Sequence, residues 1–149
     1  MNRLSRFPSV LFGLAFILYS ELAAATPPAV KVVIPDKIPG TTLVDAEGVI
    51  ALAAKTPDLV IIDARIVGDR KHGFIEGSVS LPDLETNCAS LAKVIPKKSS
   101  PVLLYCNGVN CGRSVTSTNI ALKCGYTRLY WFRGGYEEWT AKSYPTVVN

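Results

Sequence analysis

Two cysteines lie five positions apart in one polar segment of this 149-residue chain. Cys106 ends an apolar run that begins at Val102, and Cys111 follows within a stretch that contains two glycines. The length and composition of the run predict a buried strand, and Ser114 opens a helical pattern beyond the segment. We therefore expect Cys106 at the carboxyl end of a strand, facing the amino end of a helix.

A cysteine in that position is predicted to be a nucleophile. Backbone N–H groups and the helix dipole converge there on negative charge, and Arg113 adds a fixed positive charge nearby. Both effects lower a cysteine pKa below its usual value of about 8.5. We expect Cys106 to be a partly exposed thiolate; the alternative is a strand cysteine that only packs.

The segment after Cys106 is predicted to bind an anion through inward-pointing N–H groups, because its glycines permit backbone conformations that other residues resist. Its members are Asn107, Gly108, Val109, Asn110, Cys111, Gly112 and Arg113. Arg113 has two interpretations: it pairs with oxygens of the anion, or it starts the helix and bridges to Asp63 or a carbonyl group. Asp63 and Arg65 follow a second apolar run, and we expect them to support neighbouring loops by ion pairing.

Apolar runs alternate with helical patterns along the chain, which predicts an α/β fold with a mostly parallel five-stranded sheet and helices on both faces. Ligands of such sheets bind at the carboxyl ends of the strands, where Cys106 is expected. The predicted strands span residues 42–44, 59–62, 78–81, 101–105 and 128–132. The predicted helices span residues 46–54, 84–95, 114–124 and 136–142, with a short helical turn at 69–72.

The amino-terminal part has the pattern of an export signal. Residues 1–25 combine early arginines, an apolar middle too short to span a bilayer and a small-residue cleavage site. An uncleaved interfacial anchor is the alternative. Residues 26–41 contain several prolines and are predicted to be an extended lead-in to a domain over residues 42–149. The sequence thus predicts a protein exported to the periplasm, if the source is a Gram-negative bacterium, with membrane contact only during export.

Charge and cysteine content restrict the function classes. The formal net charge is +4, and its scattered basic residues do not indicate nucleic-acid binding. The four cysteines contain no Cys-x-x-Cys pair, and the only histidine, His72, is not spaced from the cysteines as metal ligands are. We therefore expect no metal and no cofactor. Cys88 and Cys124 are expected to pack in the core, with a Cys88–Cys124 disulfide as the alternative in an oxidising compartment.

Three segments, taken in order, resemble the rhodanese (sulfurtransferase) family from about Thr42 to Pro145. The first is Ile61-Ile62-Asp63-Ala64-Arg65 followed by Gly73-Phe74-Ile75-Glu76-Gly77-Ser78. The second is Leu104-Tyr105-Cys106 with Arg113-Ser114, and the third runs from Gly125-Tyr126 through Arg133-Gly134-Gly135-Tyr136-Glu137-Glu138-Trp139. The chain departs from the family in its loop, which has six residues between Cys106 and Arg113 instead of the usual four. It is similar to an exported single-domain subgroup with a Cys-x-Gly-x-x-Cys loop.

The resemblance implies sulfur transfer. Cys106 would attack the outer sulfur of a small anionic donor such as thiosulfate, hold that sulfur as a persulfide, and pass it to a thiol, to cyanide or to a protein acceptor. One alternative is a phosphatase or arsenate reductase on the same fold, although the loop is one residue longer than the Cys-x5-Arg spacing. Another alternative is a non-catalytic persulfide carrier or redox-sensing partner.

Cys111 has three interpretations under this resemblance. It could attack the Cys106 persulfide and release sulfide, it could close a Cys106–Cys111 disulfide that switches activity off, or it could be a small loop residue without a redox role.

Overall fold

A computed structural model describes residues 34–148 of the chain. The predicted export signal over residues 1–25, and residues 26–33 of the lead-in, lie outside the described residues. Five strands and five helices follow one another in this part: β1 Thr41–Val44, α1 Ala46–Lys55, β2 Val60–Asp63, α2 Val67–Arg70, β3 Val79–Ser80, α3 Cys88–Val94, β4 Val102–Tyr105, α4 Arg113–Lys123, β5 Leu129–Phe132 and α5 Gly135–Ala141. No helix among these residues is long and apolar enough to cross a bilayer.

The strands form one parallel sheet in the order β1-β5-β4-β2-β3. The predicted five-stranded α/β architecture is confirmed, and every pairing in the sheet is parallel. β4 lies in the middle, and all four of its residues are buried. Cys106 therefore follows the central strand at the carboxyl edge of the sheet, where ligands of such folds bind.

Side chains of β2 and β4 alternate between the two faces of the sheet. Ile62 and Leu104 pack into a core under α3 and α4, whereas Ile61 and Leu103 pack into a core under α1 and α5. Because both faces are covered, the strands read as continuous apolar runs rather than as alternating patterns. The helices on both faces are thereby confirmed.

The single helix predicted over residues 84–95 is wrong. A 3-10 turn spans Asp83–Glu85, and α3 begins separately after Asn87. The Asn87 side chain accepts hydrogen bonds from the backbone N–H groups of Ala89 and Ser90, and Ser90 Oγ accepts from the Asn87 N–H, which forms a capping box. Leu84 is consequently 89% exposed instead of packing on a helical face.

The described end of the lead-in lies against the domain. Ile38 is buried with Val115 and Trp131, and the Arg133 guanidinium donates to the Pro35 carbonyl and pairs with Asp36. Arg133 thus binds the lead-in rather than the loop after Cys106.

Candidate active site

The start of α5 anchors the beginning of the loop that follows β4. The N–H groups of Tyr136 and Glu137 donate to the carbonyl oxygens of Cys106 and Asn107, at 2.9 and 2.7 Å. Gly135 has a φ of +57°, and a Cβ at this position would lie 2.3 Å from the Cys106 carbonyl oxygen. Only glycine fits there, so the second glycine of the Gly134-Gly135 pair sets the position of Cys106.

A tight turn folds the loop back on itself. The Cys111 N–H donates to the Gly108 carbonyl oxygen at 2.9 Å, which brings Cys111 over the end of β4. Cys106 Sγ lies 3.1 Å from the Cys111 carbonyl oxygen and 3.1 Å from Ser114 Oγ. The loop thus closes around Cys106.

The environment of Cys106 corrects the expectation of an exposed thiolate. The residue is only 1% exposed. Its hydrogen bond with Cys111 and its burial raise the pKa of the Cys106 thiol well above the usual range, although Ser114 opposes the shift. The spacing of the sequence did not show that Cys111 would fold over Cys106 and exclude water.

Cys111 is the more acidic thiol of the two. The neighbouring Cys106 thiol, together with the N–H groups of Arg113 and Asn107, lowers the pKa of Cys111 to about 6, against the effect of its partial burial. Gly112, at the start of α4, offers no side-chain cap, so N–H groups of the first turn remain free to face sulfur. The predicted convergence of amides and helix dipole is present, but the thiolate that they favour is Cys111.

Arg113 does not bridge to Asp63. It pairs instead with Asp69 of α2, at 3.5 Å, and with Asp83, at 3.8 Å. Asp69 also accepts a hydrogen bond from the Asn107 side chain at 3.2 Å. One carboxylate therefore contacts both ends of the loop.

Sequence reasoning missed Asp69 and Asp83 as partners of the loop, together with Ser114. The signal for the two carboxylates was their position, since each follows shortly after the carboxyl end of a strand and such ends meet at one edge of the sheet. Ser114 stands next to Arg113 at the helix start, the place where a hydroxyl can reach the loop.

Asp63 and Arg65 form the expected ion pair, fully buried. Arg65 donates through Nε and Nη2 to the two Asp63 carboxylate oxygens, at 2.9 and 2.7 Å, and also donates to the Gly73 carbonyl oxygen. Burial alone would raise the pKa of Asp63, but the hydrogen bonds and charge of Arg65 hold it below the usual range. Arg70 and the Tyr105 hydroxyl complete the set around Asp63.

A cavity of about 480 Å³ opens over the loop. It is lined by Asp83, Asn107, Asn110, Cys111, Gly112, Arg113, Thr116 and Glu137. Of the two loop thiols, Cys111 lines the cavity and Cys106 lies beneath it. Within residues 34–148 no group of three or more His, Cys, Asp or Glu side chains is placed to hold a metal ion.

Cys88 and Cys124 are joined in a disulfide between α3 and the end of α4, with their Cα atoms 5.5 Å apart. The preferred expectation that both pack as core thiols is therefore wrong. Cys88 is exposed and Cys124 half-buried, because the break before α3 turns the first residue of that helix outward.

Comparisons with known proteins agree with this architecture. The model of the rhodanese-like domain matches residues 46–142. A rhodanese domain-containing protein of Drosophila melanogaster is 28% identical in an alignment of length 97 that covers 58% of this chain and 86% of the fly protein.

Two solved structures show the same fold. The BH2092 protein of Bacillus halodurans superimposes with a TM-score of 0.64 at 19% identity, over 72% of this chain and 77% of its own. A thiosulfate sulfurtransferase of Pseudomonas aeruginosa superimposes with a TM-score of 0.62 at 25% identity, over 72% of this chain and 20% of that longer one.

Proposed function

Because the chain belongs to the rhodanese-like domain family, we propose that it is a sulfurtransferase that carries sulfane sulfur as a persulfide on Cys106. The donor is a small sulfur-containing anion such as thiosulfate, and the acceptor is a thiol or cyanide. The observation that carries the proposal is the placement of Cys106, which follows the central strand beneath a cavity lined by residues of the loop. A protein thiol is a further acceptor that a site of this kind could serve.

The first step needs an ionised Cys106. The Cys106 thiol donates to the Cys111 carbonyl oxygen while the loop is closed, and its proton passes to solvent when the loop opens. Cys106 sulfur then attacks the outer sulfur of thiosulfate, the sulfur–sulfur bond of the donor breaks, and sulfite leaves with the electron pair. The Cys111 side chain must move aside to admit the donor.

Loop amides stabilise the persulfide. The Ser114 N–H opposes the rise in the pKa of the Cys106 thiol, and the N–H groups of Arg113 and Asn107 lower the pKa of Cys111, so these donors favour negative charge on sulfur. An outer persulfide sulfur that takes the place of the Cys111 side chain would meet the same donors. Preorganised N–H groups of this kind act without reorganisation cost at the moment of reaction.

Mass spectrometry after incubation of the reduced protein with thiosulfate tests the proposal. We expect one added sulfur atom on the peptide that contains Cys106, and its loss with formation of thiocyanate when cyanide is added. Release of phosphate from an aryl phosphate without sulfur loading would instead favour the phosphatase alternative.

A persulfide carrier is the second candidate, and the burial of Cys106 favours it. A carrier would accept sulfur from thiosulfate but would not turn over with cyanide or small thiols, because only a docked protein could open the loop. Turnover with cyanide at a rate that matches loading would contradict this candidate.

We further propose that the mature protein works outside the cytoplasm. The export-signal pattern of residues 1–25 supports this location, and so does the Cys88–Cys124 disulfide, since disulfides persist in oxidising compartments. Cell fractionation of the full-length chain, with mass analysis of its amino terminus, tests it. Cytoplasmic protein that begins at Met1 would contradict it.

A further inference from the structure

Cys106 and Cys111 are arranged as a reacting pair. Both are free thiols, and the Cys106 thiol donates a hydrogen bond to the backbone carbonyl oxygen of Cys111 at 3.1 Å. The turn closed by the Cys111 N–H and the Gly108 carbonyl holds this contact from the backbone. Cys111 therefore contacts the Cys106 sulfur through its backbone, and the same residue lines the cavity.

The two sulfurs differ in the way that a dithiol mechanism requires. Cys111 is half-buried and lines the cavity, whereas Cys106 lies beneath it. The N–H groups of Arg113 and Asn107 contribute to the lowered pKa of Cys111. An attacking thiol performs best when a large share of it is thiolate at ambient pH.

We propose that Cys111 discharges the Cys106 persulfide, so that the protein releases its sulfur as sulfide and is left with a Cys106–Cys111 disulfide. This inference rests on the proposed function, because it begins from the sulfur that Cys106 has accepted. It adds an activity, reductive sulfide release, and assigns Cys111 as the residue that performs it.

Atoms and electrons balance in this step. Cys111 sulfur attacks Cys106 Sγ, the bond between Cys106 Sγ and the outer sulfur breaks, and the outer sulfur leaves with the electron pair. The leaving sulfur takes up one proton, from the Cys111 thiol or from water, and departs as hydrosulfide. The two cysteines lose two electrons and the sulfane sulfur gains them, so no further reactant enters.

The disulfide must then be reduced before another turnover. A dithiol, small or protein-borne, supplies the two electrons by thiol–disulfide exchange through a mixed disulfide. Such a reductant would attack Cys111 first, because Cys111 faces the cavity and Cys106 does not. The protein would therefore consume a dithiol for each sulfide that it releases.

A single-turnover experiment on the full chain tests the step. Reduced wild type, Cys111→Ser and Cys111→Ala are loaded with thiosulfate, freed of excess donor, and followed for sulfide, for free thiols and by peptide mapping. Wild type should release one sulfide per loaded chain and gain a Cys106–Cys111 disulfide, whereas both variants should hold the persulfide at least tenfold longer.

Cyanide provides the matched control. Loaded Cys111→Ser should still form thiocyanate, which shows that its persulfide is present and reachable. Release of sulfide from either variant at the wild-type rate would overturn the inference, and so would release from wild type without the Cys106–Cys111 disulfide.

A second arm separates this inference from the proposed function. Failure of wild type and both variants to take up sulfur would refute the proposed function itself. Independently of loading, mild oxidation of reduced wild type with a glutathione disulfide buffer should join Cys106 to Cys111. If both thiols still alkylate after that treatment, the pair cannot reach bonding geometry and the inference fails even where loading succeeds.

Discussion

Cys88 and Cys124 are joined between two helices, whereas Cys106 and Cys111 remain two thiols within one loop. The first pair is separated by 36 residues, so its bond closes a long loop. A bond between Cys106 and Cys111 would close only a short loop. The Ser114 hydroxyl group contacts Cys106 sulfur, and backbone N–H groups lower the pKa of Cys111. A bond that constrains a long stretch of chain stabilises the fold, whereas a free thiol with a lowered pKa, as Cys111 has, is suited to reaction.

The strongest expected effect separates the two pairs by function. Cys106→Ser should reduce sulfur loading from thiosulfate by at least about 100-fold, because the attacking sulfur is gone. Its unfolding midpoint in urea should change little, since serine is close in size to cysteine. Mass spectrometry measures the loading and circular dichroism the unfolding. Loading that survives in Cys106→Ser would move the persulfide to Cys111.

Removal of the Cys88–Cys124 disulfide should lower the stability of the fold and leave sulfur loading unchanged. In the chain-entropy description, the double substitution Cys88→Ser with Cys124→Ser lowers the free energy of unfolding by about 4 kcal/mol. Urea titration of the oxidised protein checks this value. Sulfur loading of the variant should stay at the wild-type level wherever it remains folded. A variant that unfolds with the wild-type midpoint would remove the structural role of this disulfide.

The contrast between the two loop thiols has a pH signature. With a Cys111 pKa of about 6, the rate of its alkylation by iodoacetamide should rise between about pH 5 and 7 and then level off, because only the thiolate reacts. Cys106→Ala removes the thiol that hydrogen-bonds to Cys111, so the midpoint should move upward, toward the usual cysteine value. Peptide-resolved alkylation rates give the midpoint. An unchanged midpoint would show that the loop amides act alone.

The smallest effect concerns the charge around the cavity. Asp83 lies 3.8 Å from Arg113 Nε, and its Oδ1 is buried without a hydrogen-bond partner among residues 34–148. Removing this negative charge with Asp83→Asn should favour an anionic donor and lower the KM for thiosulfate by about threefold. Glu76→Gln, an exposed acidic position that does not line this cavity, is the matched control. Equal shifts in both variants would mean that only net charge matters.

The sheet and most helices could be predicted because their signals are local. The run Val102–Tyr105 is apolar throughout, and its place in the middle of the sheet follows from burial on both faces. The helix predicted over residues 84–95 failed because Asn87 competes for backbone N–H groups and starts a new helix. The spacing of apolar residues does not reveal that the Asn87 side chain caps a new helix.

The sequence was sufficient to locate the candidate site, but it did not predict which of the two loop cysteines is protonated. The spacing placed a cysteine between a strand end and a helix start, as the structure has it. The burial of Cys106 depends on the turn from Gly108 to Cys111 and on anchoring by Tyr136 and Glu137, contacts that no local pattern encodes. The Cys88–Cys124 bond likewise needs three-dimensional proximity, which a separation of 36 residues does not reveal.

Trp131 gives the loop a built-in optical reporter. Its indole Nε1 donates to Ser114 Oγ at 3.0 Å, and that oxygen lies 3.1 Å from Cys106 Sγ. The other tryptophan, Trp139, bonds to the Pro145 carbonyl oxygen instead. Fluorescence emission from the buried indole should therefore change when Cys106 gains or loses the outer persulfide sulfur. Each turnover could then be followed without an added label.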